Sequence, residues 1–157
     1  MLASFLRHAE AEDRAKSDFD RRLTSKGFEQ AVKVGKFLAR SRLVPDLILT
    51  SPVVRARQTA EIVGSSLGVE ILESPWMACG MEPEDCLKGL KAHAGKEHLL
   101  LVGHEPDFSH AIGDFLGLTD PSVLKIRKAS LTAVEMADFQ SSCGLLHFSI
   151  PVRLMIP

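Results

Sequence analysis

Short apolar runs alternate along this chain with longer segments in which apolar residues recur every three or four positions. The short runs are typical of β-strands, and the run His98-Leu-Leu-Leu-Val102 is too apolar for a strand with one wet face. We therefore predict that it is a central parallel strand, buried on both faces. Strands are predicted at 1–6, 46–50, 69–72, 98–102, 129–136 and 145–150.

The periodic segments between these runs predict helices. Thr24 is a suitable N-cap for a helix that ends near Ser41. Ser51 and Pro52 supply an N-cap and a first-turn proline for a second helix, which ends at Gly68. Two further helices are predicted, one over 84–93 and one that follows the turn at 103–104. Helical spacing places these side chains of the first helix on one inward face: Phe28, Ala31, Val32, Gly35 and Leu38.

The order of these elements predicts the fold class. Strands that alternate with helices form a mainly parallel sheet covered on both faces, which is a three-layer α/β/α sandwich. The final strand is expected to be antiparallel or at an edge, because Pro151 limits its extension. With 157 residues the chain is expected to form a single domain, 1–157.

Composition and charge narrow the class of function. A net charge of −1 gives no reason to expect a general nucleic-acid or membrane binder, so any anion site must be local. No apolar run approaches the ~20 residues that span a bilayer, and we expect a cytoplasmic protein. The three cysteines form no CxxC pair, which favours free thiols over disulfides or a zinc site: Cys79, Cys86 and Cys143.

Four polar residues follow predicted strands. Arg7 and His8 end the first strand, Arg55 lies early in the helix after the second strand, and His104 follows the central strand. The carboxyl ends of parallel strands meet at one edge of a sheet, where open α/β folds bind their ligands. Two arginines and two histidines at that edge indicate phosphate chemistry.

Four motifs occur in the order found in one enzyme family. They are LRHA at 6–9, RRLTSKG at 21–27, SPVVRARQTA at 51–60 and VGHEP at 102–106. In these motifs the chain resembles the histidine phosphatase superfamily, which has the phosphoglycerate-mutase-like fold. The short length and the Arg-x-Leu-Thr-x-x-Gly element look most like its small SixA-type branch of phosphohistidine phosphatases. The chain after about Asp120 carries no matching motif.

The resemblance implies a role for each matched residue. His8 would be the nucleophile, and a pKa of about 6.5 leaves much of a histidine neutral at cytosolic pH. Arg7 and Arg55 would bind the phosphoryl oxygens, with Arg21 as a third contact, since planar guanidinium groups match phosphate geometry. His104 would hydrogen-bond a phosphoryl oxygen at the start of a helix.

The resemblance leaves the general acid open. Many larger relatives place a carboxylate over the leaving group, and the irregular segment 73–86 offers Glu82, Glu84 and Asp85 outside any motif. Glu82 is the candidate among them, although a solvated loop position is the favoured interpretation. The resemblance to SixA-type proteins implies that this acid is missing, and an imidazole leaving group needs less protonation than an alkoxide.

No metal or cofactor is expected. The segment that contains His104, Asp107 and His110 is not a His-Glu-x-x-His motif, and Pro106 starts a helix there instead of continuing one. The remaining cationic candidates are interpreted as surface or structural residues: Arg57, His93, His98, His110 and His147.

By resemblance, the predicted function is hydrolysis of phosphohistidine on a protein partner through a phosphohistidine enzyme intermediate. A chain of this length has little beyond the sandwich with which to enclose a small metabolite. Two alternatives stay open: a phosphatase of small phosphomonoesters or sugar phosphates, and a non-catalytic module that binds phosphorylated ligands. Mutase activity is less favoured because no lid is evident to exclude water. The sequence carries no signal for the oligomeric state.

Overall fold

The computed structural model describes residues 1–156, which contain one six-stranded sheet with helices on both faces. The strands are β1 (Leu2–Arg7), β2 (Leu47–Thr50), β3 (Ile71–Glu73), β4 (His98–Gly103), β5 (Leu131–Met136) and β6 (Gly144–Ile150). The helices are α1 (Ser25–Arg40), α2 (Val54–Leu67), α3 (Pro83–Ala92) and α4 (Asp107–Phe115). Short 3₁₀ turns lie at Pro75–Met77, Pro121–Val123 and Val152–Leu154.

The strand order across the sheet is β3-β2-β4-β1-β5-β6. The pairs β3–β2, β2–β4 and β4–β1 are parallel, and β5 is antiparallel to both of its neighbours. The α/β/α sandwich with a mainly parallel sheet is therefore confirmed. The last strand does lie at an edge and pairs antiparallel, but β5 is the strand that runs against the other five.

Two layers of apolar side chains hold the helices to the sheet. Alternate residues of a strand point to opposite faces, so Phe5 of β1 joins the layer under α3 and α4, and Leu6 joins the layer under α1 and α2. The same alternation continues in β4, where Leu101 and Val102 belong to different layers. This burial on both faces explains why β4 reads as a continuous apolar run.

The first helix begins and ends as predicted, but part of its inward face was wrong. Thr24 accepts a hydrogen bond from the backbone N–H of Gly27 at 3.1 Å, and the helix ends at Arg40 with Ser41 as its C-cap. Phe28 is 56% exposed and Val32 is only half-buried, whereas Val34 is fully buried. A Cβ on Gly27 would lie 1.9 Å from the carbonyl oxygen of Glu10. This close approach turns the Gly27 side of the helix inward, toward the body of the protein.

The start of the second helix also differs from the prediction. Val53 is the N-cap residue, and the hydroxyl of Ser51 accepts a hydrogen bond from the N–H of Val53 at 3.2 Å. Ser51 therefore precedes the helix instead of capping it, and its hydroxyl also contacts His104. The predicted end is confirmed, because Gly68 adopts the left-handed conformation (φ 67°) as the C-cap.

The segment before β5 is a turn where a strand was predicted. Ala129 has a positive φ of 55°, and its N–H donates to the carbonyl oxygens of Arg7 and His8 at 3.1 and 3.2 Å. The strand consequently starts at Leu131 instead of Ala129. This turn fixes the residues before β5 to the backbone that follows β1.

Two further observations bear on the sequence expectations. No helix within residues 1–156 combines the length and the apolar character needed to cross a membrane. Cys79, Cys86 and Cys143 are free thiols, as predicted, and burial raises the pKa of the Cys86 thiol.

Candidate active site

Three strands deliver the site residues to the carboxyl edge of the sheet. Arg7 is the last residue of β1 and His8 follows it, Arg55 lies in the first turn of α2 after β2, and His104 follows β4. The ring centroids of His8 and His104 are 5.4 Å apart. The guanidinium Nε of Arg55 donates to Nε2 of His8 at 3.2 Å. The structure therefore brings these side chains together.

The hydrogen bonds of His8 define its tautomer. Nδ1 lies 2.7 Å from the carbonyl oxygen of Ala9, which can only accept, so the ring proton is on Nδ1. Nε2 is then an unprotonated nitrogen with its lone pair facing the Arg55 donor. The backbone on either side is anchored, since His8 N–H donates to the Gly103 carbonyl at 2.9 Å and Ala9 N–H donates to the Thr59 hydroxyl at 3.1 Å.

Burial keeps His8 neutral. The ring is 6% exposed, and loss of solvation lowers its pKa from 6.5 to about 3. The hydrogen bond to Ala9 raises the pKa, but His104, Arg55 and Arg7 lower it further. His8 is therefore a neutral imidazole at neutral pH, with an unprotonated Nε2 that accepts from Arg55, and the neutral ring is the form a nitrogen nucleophile needs.

Arg55 links the histidine to a polar loop. Its side chain is buried, its Nη1 donates to the Asp18 carbonyl oxygen at 2.8 Å, and its Nη2 contacts Asp18 Oδ2 at 3.1 Å. The thiol of Cys79 lies 3.7 Å from the same Nη2. The guanidinium is thus held in one orientation, with Nε directed at His8.

Arg21, which was predicted to be a third contact to the phosphoryl group, bonds residues of the neighbouring loop in this structure. Its Nη1 contacts Asp18 Oδ1 at 2.8 Å, and its Nε donates to the Glu12 carbonyl oxygen. The Asp18 carboxylate therefore bridges Arg21 and Arg55, and these contacts, led by the Arg21 hydrogen bond, lower the pKa of Asp18. Arg21 reaches the site through Asp18.

Arg7 lies on the β5 side of the site. Its Nη1 donates to the Ile126 carbonyl oxygen at 2.8 Å, and its buried Nε has no hydrogen-bond partner within residues 1–156. Burial lowers the pKa of Arg7, with Glu105 acting in the opposite direction. The Glu105 carboxylate accepts from the N–H and hydroxyl of Ser109 at 3.1 and 2.7 Å, and burial raises its pKa.

His104 is held by Ser51. The Ser51 hydroxyl accepts from Val53 N–H and shares a second hydrogen bond with His104 Nε2 at 2.8 Å. The other ring nitrogen, Nδ1, is buried and has no hydrogen-bond partner in the described chain. Burial, followed by the charge of Arg55, lowers the pKa of His104 to about 4.

Asp107 has a structural role next to the site. Its Oδ2 accepts from the backbone N–H groups of Gly80 and Met81 at 2.9 and 3.2 Å, which fixes the loop that carries Cys79 beside Arg55. His110 is exposed on α4. Within residues 1–156, no group of three or more His, Cys, Asp or Glu side chains is placed to hold a metal ion.

Glu82, the candidate general acid, lies at the start of α3. It is exposed at the N-cap position of α3, and its carboxylate makes no hydrogen bond or salt bridge with a site residue in the described part of the chain. Glu84 is exposed in the first turn of the same helix. The carboxylate that contacts Arg55 is that of Asp18.

The residues interpreted from the sequence as surface or structural make contacts of that kind. His98 is buried and its Nε2 bonds the Ser4 hydroxyl at 2.8 Å, so it ties β4 to β1. Arg57 forms ion pairs with Glu61 and Glu73 at 3.6 and 3.8 Å. The exposed His147 pairs with Glu135 at 2.7 Å.

Sequence reasoning missed Asp18, Ser51 and Glu105. Asp18 lies in a polar loop without periodicity, and its contact with Arg55 joins positions 37 residues apart. Ser51 was noticed only as a helix cap, although the Ser-Pro motif itself was a signal. Glu105 belongs to a quoted motif, and its spacing to Ser109 could have indicated the contact.

Comparison with known proteins agrees with this geometry. The model of the histidine phosphatase superfamily (branch 1) matches residues 4–78, a range that includes Arg7, His8 and Arg55. The phosphohistidine phosphatase SixA homolog of Haemophilus influenzae is 34% identical, with 94% of each chain covered.

Solved structures extend the agreement to the whole fold. The putative phosphohistidine phosphatase SixA from Agrobacterium tumefaciens is 26% identical, with a TM-score of 0.82 over 96% of this chain and 97% of that one. The protein histidine phosphatase SixA complexed with tungstate has the same fold, with a TM-score of 0.88, 22% identity and 98% of each chain covered. The chain therefore belongs to the histidine phosphatase superfamily, which confirms the resemblance, and among these relatives it is similar to the SixA type.

Proposed function

We propose that this protein hydrolyses phosphohistidine on a partner protein, with His8 as the nucleophile. The observation that carries the proposal is the fixed tautomer of His8. Nδ1 is committed to the Ala9 carbonyl, and Nε2 presents its lone pair 3.2 Å from the Arg55 guanidinium. The similarity to SixA-type proteins named phosphohistidine phosphatases supports the same substrate class.

The first step transfers the phosphoryl group to the enzyme. The Nε2 lone pair of His8 attacks phosphorus, a new N–P bond forms, and the P–N bond to the partner's imidazole breaks. The departing imidazole leaves with the electron pair of that bond and takes a proton from water. In the second step a water oxygen attacks phosphorus, the His8 N–P bond breaks, and inorganic phosphate leaves while the proton of the water passes to solvent.

The surrounding cations stabilise the transferring group. The guanidinium groups of Arg55 and Arg7 would bind its equatorial oxygens, where charge is spread in the transition state. Arg7 Nε–H is a buried donor without a protein partner in the described residues and is suited to the same oxygens. The buried His104 Nδ1 also has no protein partner there and would donate to these oxygens in the tautomer that carries its proton on Nδ1. Arg21 would act indirectly by holding Asp18 against Arg55.

The charge state of Asp18 bears on the choice of leaving group. Asp18 is bonded to two arginines that lower its pKa, so it is ionised and a poor proton donor at neutral pH. Glu82 is exposed at the N-cap of α3, and no side-chain hydrogen bond or salt bridge among the described residues joins it to a site residue. An imidazole that leaves from a P–N bond needs less acid assistance than an alkoxide, which favours phosphohistidine over phosphomonoesters.

The test is to compare substrates and to trap the intermediate. We expect hydrolysis of a phosphohistidine peptide to exceed that of a panel of phosphomonoesters assayed at the same concentration. Brief incubation with labelled phosphohistidine peptide should leave acid-labile, base-stable phosphate on the wild-type enzyme and none on His8→Ala.

Two outcomes would contradict the proposal. Faster hydrolysis of the phosphomonoesters would overturn the substrate class. Equal labelling of His8→Ala would overturn the nucleophile. Tungstate, which is bound in one SixA structure, provides a control for the phosphate site. The wild type and His8→Ala should both bind tungstate, and only the wild type should hydrolyse the phosphohistidine peptide. A non-catalytic binding module would bind tungstate and hydrolyse no substrate.

A further inference from the structure

A basic cleft lies beside the site described above. It has a volume of about 430 Å³ and lies between the first turns of α1, the residues before β5 and the final 3₁₀ turn. Four of its lining residues are cationic: Lys26, Arg127, Lys128 and Arg153. None of its lining residues is acidic.

Part of this positive charge is offset by Glu10, whose pKa is lowered by its hydrogen bond to Lys26 and also by the charge of Lys128. Lys26 forms an ion pair with Glu10 at 2.9 Å. Arg127, Lys128 and Arg153 form no salt bridge within 4.0 Å in residues 1–156. Because the whole chain has a net charge of −1, this concentration of cations is local to one face.

The cleft is fixed to the backbone of the site. Arg7 Nη1 donates to the Ile126 carbonyl oxygen at 2.8 Å, and the N–H of Ala129 donates to the carbonyl oxygens of Arg7 and His8. Arg127 and Lys128 lie between these two anchored residues. The basic cleft is therefore joined to Arg7 and His8 through the short segment 126–129.

We infer that the basic cleft docks an acidic segment of the phosphohistidine-bearing partner, an inference that rests on the proposed function. Carboxylates of the partner would complement the cations, which raises the rate of encounter and selects among partners. Single-stranded nucleic acid is a poorer match, because such sites combine positive charge with aromatic side chains for base stacking, and no aromatic residue lines this cleft.

The experiment uses three phosphohistidine substrates: a peptide flanked on both sides by glutamates, the same peptide flanked by glutamines, and free phosphohistidine. We expect kcat/KM of the wild type for the glutamate peptide to exceed that for the glutamine peptide by about 10-fold at low salt, and the difference to shrink as salt screens the charges.

Charge reversal locates the effect. Arg127→Glu/Arg153→Glu should abolish the preference for the glutamate peptide while leaving hydrolysis of free phosphohistidine unchanged. The matched control is Arg40→Glu/Lys91→Glu, which makes the same change in charge at the C-terminal ends of α1 and α3. This control should keep the wild-type preference.

The outcomes separate the two proposals. Equal kcat/KM for the glutamate and glutamine peptides in the wild type would overturn the docking inference alone, as would loss of the preference in the control variant. Tighter binding of a labelled single-stranded oligonucleotide than of the glutamate peptide would overturn the choice of partner. No hydrolysis of any phosphohistidine substrate would overturn the proposed function and the docking inference with it.

Discussion

Acidification from about pH 7.5 to about pH 5 should destabilise this protein through the two site histidines. In the folded chain burial lowers the pKa of His8 to about 3 and that of His104 to about 4, from an ordinary 6.5. As the pH falls below 6.5, the unfolded chain takes up protons at both positions while the folded chain does not. The unfolded state is then favoured, so stability is lost as the pH falls.

The size of the effect follows from the width of this window. At about pH 5 each histidine is 1.5 units below its unfolded pKa and still above its folded one, so each costs about 2 kcal/mol and the pair about 4 kcal/mol. The carboxylates of Glu10, Asp18, Asp46 and Asp120 have lowered pKa values and lose their stabilising effect only at lower pH. Burial also lowers the pKa of His98 and raises that of Glu105, and both residues are present in the wild type and in the variant. The comparison with a variant that lacks His8 and His104 therefore isolates the two site histidines.

The assay is urea unfolding at the two pH values, for the wild type and for His8→Gln/His104→Gln. We expect the wild type to lose about 4 kcal/mol more than the double variant, and each single variant to recover about half of that difference. A loss that is the same in the wild type and the double variant, within about 1 kcal/mol, would refute the reasoning, because the histidines would then not be held neutral by the fold.

Three other changes test the site and its supports. Arg55→Lys keeps the positive charge but loses the planar guanidinium that contacts His8 and both the carbonyl and the carboxylate of Asp18. We expect kcat/KM to fall by about 10²-fold with little change in Tm. Near-normal kinetics would remove Arg55 from the mechanism. Ser51→Ala leaves the buried His104 without its hydrogen-bond partner and should lower the free energy of unfolding by about 1–3 kcal/mol, measured in urea. An unchanged free energy of unfolding would contradict the hydrogen bond between Ser51 and His104. Gly89→Ala places a Cβ 2.2 Å from the ring of Trp76 and should lower stability by about 1–3 kcal/mol, measured as a lower Tm. In the control Gly95→Ala, the added Cβ has no atom within 4 Å, and stability should change by no more than about 0.5 kcal/mol. Equal changes in Tm for the two variants would contradict the packing argument.

The parts of the fold that followed from sequence are those governed by local rules. The apolar run of β4 has no wet face, and only a central strand of a covered sheet satisfies that pattern. Gly68 ends α2 because its left-handed conformation suits glycine. Given the strands, parallel topology alone predicts that residues after β1, β2 and β4 meet at one edge.

The parts that did not follow were decided by tertiary contacts. Helical periodicity gives an apolar face but does not fix its rotation, and the contact between Gly27 and Glu10 moved Phe28 to the surface. Ser51 has the propensity of an N-cap, yet its hydroxyl is taken by His104, a residue 53 positions away. The contact of Asp18 with Arg55 likewise depends on how a loop folds over the sheet edge.

The charge state of the site depends on whether an anion is bound. Arg7 and Arg55 supply permanent positive charge, and this charge together with burial keeps both histidines neutral. In the proposed mechanism, a phosphoryl dianion between the arginines would offset that repulsion and so favour protonation of His104. The imidazolium form of His104 would donate from Nε2 to the Ser51 hydroxyl, which lies within hydrogen-bond distance. Substrate binding would therefore favour an additional positive charge at His104, whereas His8 phosphorylated at Nε2 would have no lone pair to protonate there.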